Sequence, residues 1–192
     1  MSNYLGIDIG GTNTCYGIVN AEGEFLYENS IKTESVESIE DLADQIYNDV
    51  KKKPDFVGIG IGAPSVNEKT QSIEFAPNLN WGDVVPLTKI FSEKFGMEVN
   101  AVNDANAAAI GERTYGEASE MENFAVITLG TGIGLGIFIN GKIVIGSNGL
   151  AGELGHTVVR RDGRECNCGN FGCLETYIAK DGIAVSYTHL RA

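Results

Sequence analysis

The residues best suited to chemistry lie in one stretch, GELGHTVVRRDGRECNCGNFGCLE, which runs from Gly152 to Glu175. It contains three of the four cysteines and one of the two histidines, at Cys166, Cys168, Cys173 and His156. Three thiolates and one imidazole complete a tetrahedral structural zinc site with no position open for water. The C-x-C spacing is tighter than in common zinc fingers, and ordinary thiols beside a loop histidine are the alternative. The clustering of scarce ligand types favours the metal.

Two carboxylates bracket these ligands. Glu153 precedes His156 on the same short segment, and Glu175 follows the last cysteine. If zinc holds the segment, both carboxylates and the outer edge of the imidazole present hydrogen-bonding groups to a polyhydroxylated ligand. The alternative for both glutamates is ordinary charge on helix surfaces.

Two turns rich in glycine and threonine are a second set of candidates. GIDIGGTNTCYGIVNAEG and VITLGTGIGLGIFING share the order strand, Gly/Thr turn, strand and glycine-ending turn, which favours a duplicated unit with one copy in each of two domains. Backbone N–H groups and a threonine hydroxyl in such turns can receive phosphate oxygens. Neither turn is a Walker-type loop, because no G-K-[ST] follows. Similar turns also recur between β-branched runs in unrelated β-rich proteins.

Two aspartates follow strand-like apolar runs. Asp8 could hold Mg²⁺ through water beside phosphate oxygens, or make a turn-stabilising contact. Asp104 follows the run Val99 to Val102 and opens an alanine-rich helix, so its carboxylate should project from the edge of a sheet. There it could orient an attacking hydroxyl and accept its proton in phosphoryl transfer. Helix capping is the alternative, although Asn103 and Asn106 add more polarity than a cap requires.

The periodicity of apolar residues predicts the elements that must position these groups. A polar loop through Asn78, Asn80 and Trp81 is expected between the first two predicted helices. A polar break at 116–123 predicts two domains, 1–116 and 117–192. The predicted strands are 4–9, 14–20, 24–30, 56–61, 99–102, 124–129, 135–139 and 142–145. The predicted helices are 36–52, 87–95, 105–113 and 175–184, the last stopped by SYTHLRA.

Composition excludes several classes of partner. The formal net charge is −12, which leaves no cationic surface for nucleic acid or an anionic membrane. No apolar run approaches the length of a membrane span, and Met1 leads into the strand-like YLGIDIG without a signal peptide. Clustered cysteines fit a reducing compartment better than a disulfide framework, so a cytoplasmic location is expected.

Five motifs together resemble one known family. LGIDIGGTNT, PNLNW, VNDANAAAIGE, TLGTGIGLGIFING and GELGHTVVRRDGRECNCGNFGCLE occur in this order, as in the ROK family (repressors, open reading frames and sugar kinases), and within it the bacterial glucokinases. The resemblance runs from Tyr4 to about Ala184. It implies an α/β protein with an actin-like ATPase (ribonuclease H-like) two-domain sugar kinase fold. It also implies ATP and Mg²⁺ as cofactors, a structural Zn²⁺, a cytoplasmic location and a homodimer.

The resemblance also implies a role for each matching residue. Asp104 resembles the catalytic base. The sugar-contacting residues are implied to be Asn78, Asn103, Asp104, Glu153, His156 and Glu175. The residues around ATP and its phosphates are implied to be Asp8, Gly10, Gly11, Thr12, Asn13, Gly130, Thr131, Gly132 and Gly134. The zinc ligands are implied to be His156, Cys166, Cys168 and Cys173.

The implied reaction is the ATP-dependent phosphorylation of a hexose at its 6-hydroxyl, with glucose as the first expectation. Kinases for fructose, mannose or N-acetylated amino sugars share all of these motifs. The repressors of the family carry a DNA-binding segment before the first strand, where this chain has Met1-Ser2-Asn3. A fragment that binds sugar without catalysis is the third alternative.

Two departures from the family pattern stand out. Ser65 occupies a position where the family usually has glycine. The family also continues beyond the point where this chain ends, so the second domain is expected to be incomplete. A truncated gene and a foreign tail at 186–192 (SYTHLRA) are the two hypotheses for this end.

Overall fold

A computed structural model of the protein describes residues 2–76, 79 and 81–189. The chain forms two compact units: the first extends to Ala107 and includes Asn148–Leu150, and the second contains the remaining residues from Ala108 onward. The division into domains 1–116 and 117–192 stays a prediction. Within the described part of the chain, no helix combines the length and the apolarity needed to cross a membrane.

The described strands are β1 Tyr4–Ile9, β2 Asn13–Val19, β3 Phe25–Lys32, β4 Ile59–Ala63, β5 Val66–Asn67, β6 Ser72–Glu74, β7 Val84–Val85, β8 Val99–Asn103, β9 Phe124–Leu129, β10 Ile133–Ile139 and β11 Lys142–Ile143. The α-helices are α1 Ile39–Val50, α2 Leu87–Phe95, α3 Asp104–Tyr115, α4 Glu175–Ile178 and α5 Lys180–His189, and short 3₁₀ turns span Thr33–Ser35 and Leu154–His156.

The first unit is built on a five-stranded sheet with the order β3-β2-β1-β4-β8. β1 is antiparallel to β2 and parallel to β4, which is in turn parallel to β8. The register pairs Asp8 with Gly62, and Gly62 with Val102. Because parallel strands end at the same edge of a sheet, the residues that follow β1, β4 and β8 meet there.

Strict alternation along β1 buries Leu5, Ile7 and Ile9 on one face. α1 covers this sheet with an apolar stripe that includes Leu42 and Ile46, both fully buried. Each such side chain contributes about 1.5–3 kcal/mol by leaving water. α1 begins after Ser38, whose side chain accepts a hydrogen bond from the backbone N–H of Asp41. α2 packs beside α1 and ends at Gly96, which has a φ of 67°.

A polar network ties α1 to the edge of the sheet. The Asp49 Oδ2 atom accepts hydrogen bonds from the hydroxyl of Tyr16 at 2.8 Å, the hydroxyl of Tyr27 at 2.5 Å and the Nδ2 atom of Asn29 at 3.1 Å. Burial alone would raise the pKa of Asp49, but these hydrogen bonds outweigh it and hold that pKa below its usual range.

The second unit contains the antiparallel sheet β11-β10-β9. Its β9–β10 hairpin pairs Leu129 with Ile133 around the second Gly/Thr turn, as the β1–β2 hairpin pairs Ile9 with Thr14 around the first. Phe124 and Phe138 stack across the second hairpin with ring centroids 4.7 Å apart. Each unit therefore carries one strand–turn–strand element, as the internal similarity of the sequence predicted.

Several expectations about the elements were wrong. The strand predicted at 56–61 lies at 59–63, and the strand predicted at 142–145 ends at Ile143. The polar stretch after Ser65 contains the small sheet β5-β6-β7, whose strands of two or three residues are too short to produce a periodic pattern. The helix predicted at 36–52 is shorter at both ends: it begins at Ile39, because Ser38 caps it, and it ends at Val50. The helix predicted at 175–184 is two helices, and α5 continues through Ser186 to His189, where the sequence predicted a stop.

Candidate functional site

Asp8 and Asp104 approach each other at the carboxyl edge of the first unit's sheet. Gly62 lies between them: a Cβ atom added there would be 3.9 Å from both the Oδ1 atom of Asp8 and the Cα atom of Asp104. The same Cβ would be 3.1 Å from the Cβ of Ala107 on α3. The absence of a side chain at Gly62 therefore leaves the space between the two aspartates open. Sequence reasoning missed this role, because only the pairing of β4 with β1 reveals it.

The ionised form of the Asp8 carboxyl is disfavoured by its surroundings. Desolvation by the surrounding protein raises the pKa of Asp8, and the negative charge of Asp104 raises it further. A divalent cation or a strong hydrogen-bond donor near this pair would relieve the repulsion. One carboxylate beside phosphate oxygens is a donor set that Mg²⁺ accepts, usually through retained water.

Asp104 is the first residue of α3 and is exposed. The backbone N–H of Ala105 donates to Asp104 Oδ1 at 2.8 Å and to Asn103 Oδ1 at 2.9 Å. Asn103, which precedes the helix and accepts the N–H two residues on, is therefore the residue that caps α3, and Asp104 is its first helical residue. The bond to Ala105 occupies one oxygen of the Asp104 carboxylate, while the exposed position keeps the group accessible to a ligand.

The two Gly/Thr turns have internal hydrogen bonds that limit which groups can meet phosphate. The N–H of Gly10 donates to Asn13 O at 3.0 Å, and the N–H of Gly130 donates to Gly132 O at 3.0 Å. The first glycine of each turn therefore directs its N–H back into its own turn. Gly134, expected within the second turn, lies inside β10 and pairs with Thr128.

Four potential metal ligands converge in the second unit. His156 ends a 3₁₀ turn, and the loop that follows folds back through bridges between Val158 and Cys173 and between Glu165 and Phe171. The ligand atoms of His156, Cys166, Cys168 and Cys173 all lie within 4.8 Å of one another. Gly172 allows this fold, because it has a φ of 75° and any side chain there would collide with the carbonyl oxygen of Arg160.

Two of the distances within this cluster match the edges of a tetrahedral zinc site. The Sγ atoms of Cys168 and Cys173 are 3.7 Å apart, and Cys166 Sγ lies 3.6 Å from His156 Nδ1. Zn–S and Zn–N bonds of about 2.3 and 2.0–2.1 Å give tetrahedral edges of roughly 3.5–3.8 Å. These four residues therefore suit a closed zinc site.

The thiol acidities agree with a requirement for a cation. Burial raises the pKa of Cys166 and of Cys173, so their thiolates are costly to form unaided. A hydrogen bond from the backbone N–H of Asn170 lowers the pKa of Cys168 to about 7. A bound Zn²⁺ would stabilise all three thiolates.

Glu175 connects this cluster to the second Gly/Thr turn. Its Oε1 atom accepts a hydrogen bond from Cys166 Sγ at 3.0 Å and lies 3.5 Å from His156 Nδ1. Its Oε2 atom would lie 3.0 Å from a Cβ added to Gly132. Glu153, in contrast, is exposed, with its Oε2 atom 3.9 Å from His156 Nε2. The close approach of Glu175 to Gly132 was not predicted from sequence, because the two residues are distant along the chain.

The predicted site residues thus fall into two groups, one in each unit. The first unit holds the group at the carboxyl edge of its sheet: Asp8, Gly10, Gly11, Thr12, Asn13, Asn103 and Asp104. The second unit holds the other group: Gly130, Thr131, Gly132, Gly134, Glu153, His156, Cys166, Cys168, Cys173 and Glu175. Asn78, expected to contact the sugar, lies outside the described residues.

Comparison with known proteins matches this chain to the ROK family over residues 4–191, a range that includes 186–191 of the segment interpreted as a tail. A glucokinase of Halalkalibacterium halodurans is 41% identical over 191 residues, which are 94% of this chain and 58% of that protein. A xylose repressor of Caldicellulosiruptor bescii is 36% identical over 192 residues, which are 95% of this chain and 48% of that protein.

A solved structure of the same family is also similar to this chain. A ROK family glucokinase from Streptomyces griseus, in complex with glucose and AMPPNP, superposes with a TM-score of 0.86 at 37% identity. The match covers 100% of this chain and 61% of that one. The chain therefore spans about half to three fifths of the length of these three proteins.

Proposed function

The chain belongs to the ROK family and has its actin-like ATPase fold, and we propose that it is the greater part of a kinase that transfers the γ-phosphoryl group of ATP to the 6-hydroxyl of glucose. One observation carries the proposal. An exposed aspartate, Asp104, opens a helix at the carboxyl edge of parallel strands, beside the second carboxylate of Asp8. In open α/β sheets, this edge is where ligands bind.

Asp104 would accept the proton of the sugar hydroxyl as that oxygen attacks phosphorus. A positioned general base of this kind contributes about 10²–10⁴-fold to a rate. Asp8 would hold Mg²⁺ through water, and the metal would neutralise charge on the phosphates. The two Gly/Thr turns would receive phosphate oxygens through backbone N–H groups, so that positioning and electrostatics supply most of the catalysis.

The cysteine cluster would hold a structural zinc rather than a catalytic one, because its four protein ligands leave no position for substrate. His156, Cys166, Cys168 and Cys173 would bind the ion, which would fix the loop that presents His156 and Glu175. These two side chains, with Glu153 and Asn103, would then hydrogen-bond the sugar hydroxyls. Glucose as the sugar is supported by relatives called glucokinases and by the glucose in the Streptomyces griseus structure.

A second candidate is sugar binding without catalysis. It is supported by the 36% identity with a xylose repressor, which is close to the value for the glucokinases. Kinases for fructose, mannose or N-acetylated amino sugars also remain alternatives for the substrate, since the same motifs serve them.

A coupled ADP-release assay over a panel of hexoses tests the proposal, with Asp104→Asn as the decisive variant. Asparagine keeps an oxygen that can accept the N–H of Ala105, so the helix start and the fold should be retained. We expect turnover with glucose, a loss of about 10²–10⁴-fold in kcat for the variant, and a glucose-induced rise in Tm for both proteins.

Two results would count against this reading. Full activity of Asp104→Asn would remove Asp104 from the role of base. A rise in Tm with glucose but no turnover with any hexose would favour the binding protein without catalysis.

A further inference from the structure

β8 lies at the edge of the five-stranded sheet, and the hairpin formed by β5 and β6 meets its outer side. Gln71, in the turn of this hairpin, binds both backbone groups of Ala101 on β8. Its Oε1 atom accepts the N–H of Ala101 at 2.8 Å, and its Nε2 atom donates to the carbonyl oxygen at 2.9 Å. The side-chain amide therefore takes the place of a neighbouring strand.

Glu68, in the same turn, binds the chain on both sides of Asp104. Its Oε1 atom accepts the side-chain Nδ2 of Asn106 at 2.6 Å and the backbone N–H of Asn103 at 3.4 Å. Asn106 is only 3% exposed, and its Oδ1 atom is buried without a hydrogen-bond partner among the described residues. Glu68 thus supplies the acceptor that anchors this buried amide.

The turn itself adopts an unfavourable backbone conformation. Gln71 has a φ of 57°, in the left-handed region that residues with a side chain rarely occupy. Its N–H donates to Asn67 O at 2.8 Å, and its Nε2 atom also donates to Glu68 O at 2.9 Å. A strained conformation persists where the surrounding contacts determine it, and here it brings the Gln71 amide onto Ala101.

We propose that Glu68 and Gln71 are positioning residues, which fix where β8 ends and α3 begins and thereby orient Asp104. The proposal rests on the proposed function only through the role of Asp104 as base. Among the described residues, the carboxylate of Asp104 accepts a hydrogen bond from the backbone N–H of the adjacent Ala105. The orientation of the carboxylate therefore depends on the backbone at the junction of β8 and α3. Glu68 binds the backbone N–H that precedes Asp104 and the buried side-chain amide of Asn106 that follows it, and Gln71 binds the strand that leads into the junction.

Glu74 is the matched control for Glu68. It lies on the same hairpin, and among the described residues its side chain accepts hydrogen bonds within that hairpin, from Asn67 Nδ2 at 3.1 Å and Thr70 Oγ1 at 2.8 Å. Glu74→Ala therefore disturbs the hairpin without removing a bond to β8 or α3. Glu68→Ala removes both bonds to the junction, whereas Glu68→Gln keeps an oxygen that can accept them.

The first measurement is steady-state kinetics with glucose and ATP on the full chain and these variants. We expect Glu68→Ala to lower kcat by about 10–100-fold with little change in the KM for ATP, because a misplacement of about 1 Å at a reacting group can cost 10²-fold. Glu68→Gln should recover most of the rate, and Glu74→Ala should remain close to the unaltered chain. Equal losses for Glu68→Ala and Glu74→Ala, or no recovery with Glu68→Gln, would overturn the proposal.

The second measurement is amide hydrogen exchange, which needs no turnover. We expect the N–H groups of Asn103 and Ala105 to exchange faster in Glu68→Ala than in the unaltered chain or in Glu74→Ala. If the unaltered chain phosphorylates no hexose, the proposed function fails, and the exchange rates alone decide whether Glu68 orders the junction. Unchanged exchange in Glu68→Ala would refute the positioning role whatever the activity.

Discussion

Replacing Gly62 by alanine should destabilise the first unit and disturb the pair of aspartates. The new methyl group would lie 3.1 Å from the Cβ of Ala107, whereas carbon atoms in contact prefer about 3.5–4.0 Å. The first turn of α3 must then move away from β4 by a few tenths of an ångström. Overpacking of this kind costs about 1–3 kcal/mol. For a chain of this size, each kcal/mol lowers Tm by about 2–4 °C, so we expect a decrease of roughly 2–12 °C.

Gly60 on the same strand provides the control. A Cβ added at Gly60 meets nothing within 4 Å, so Gly60→Ala should be neutral or should stabilise by about 0.4–1 kcal/mol through the unfolded state. Thermal melts followed by circular dichroism compare the two variants. Adding Ala107→Gly to Gly62→Ala removes the nearest atom and should give a favourable coupling energy. If Gly62→Ala melted with Gly60→Ala, or if the double variant showed no coupling, the steric argument would be wrong.

Three further predictions concern the two units separately. In the folded protein, hydrogen bonds, chiefly the one from Tyr27, lower the pKa of Asp49. The stability that Asp49 contributes is therefore complete above about pH 4 and is lost as the pH falls through the lower folded pKa. Asp49→Asn should flatten the acid side of a plot of Tm against pH, and an unchanged acid side would contradict this. Cys173→Ser should lower both the amount of bound zinc, measured by mass spectrometry, and the Tm. Cys15→Ser, which lies outside the cluster, should change neither. Equal amounts of zinc in the two variants would exclude the cluster as the zinc site. Ser65 has a φ of 53°, in the left-handed region. Ser65→Gly should raise the free energy of unfolding in urea by about 0.5 kcal/mol, because the relief of this unfavourable conformation outweighs the extra entropy that glycine gives the unfolded chain. A loss of stability would show that the serine makes compensating contacts.

The sequence predicted well those elements whose residues alternate or repeat over several turns. The bounds of β1, α2 and β9 were predicted as observed, because their less exposed positions recur with the period of a strand or a helix. The small sheet β5-β6-β7 was missed for the opposite reason. Its strands depend on pairing with each other and on contact with α2 and β8, which no local pattern reveals.

The residues of the candidate metal site could be predicted from the sequence, because they are close along the chain and belong to residue types that are rare in it. His156 and the three cysteines needed only one folded loop to bring them within reach of one ion. Asp8 and Asp104 could be singled out by their positions after strand-like runs, but their proximity could not. It depends on the parallel pairing of β1, β4 and β8 and on the missing side chain of Gly62.

The sequence by itself therefore determined the chemical groups of this protein and the family to which the chain belongs, since residue types and short motifs are local properties. Only the tertiary structure decided which groups act on one another. It placed Gly62 between the aspartates, Glu175 against Gly132, and Glu68 across the start of α3. Each of these contacts joins residues remote along the chain, and only the pairing of strands and the packing of loops on them bring such residues together.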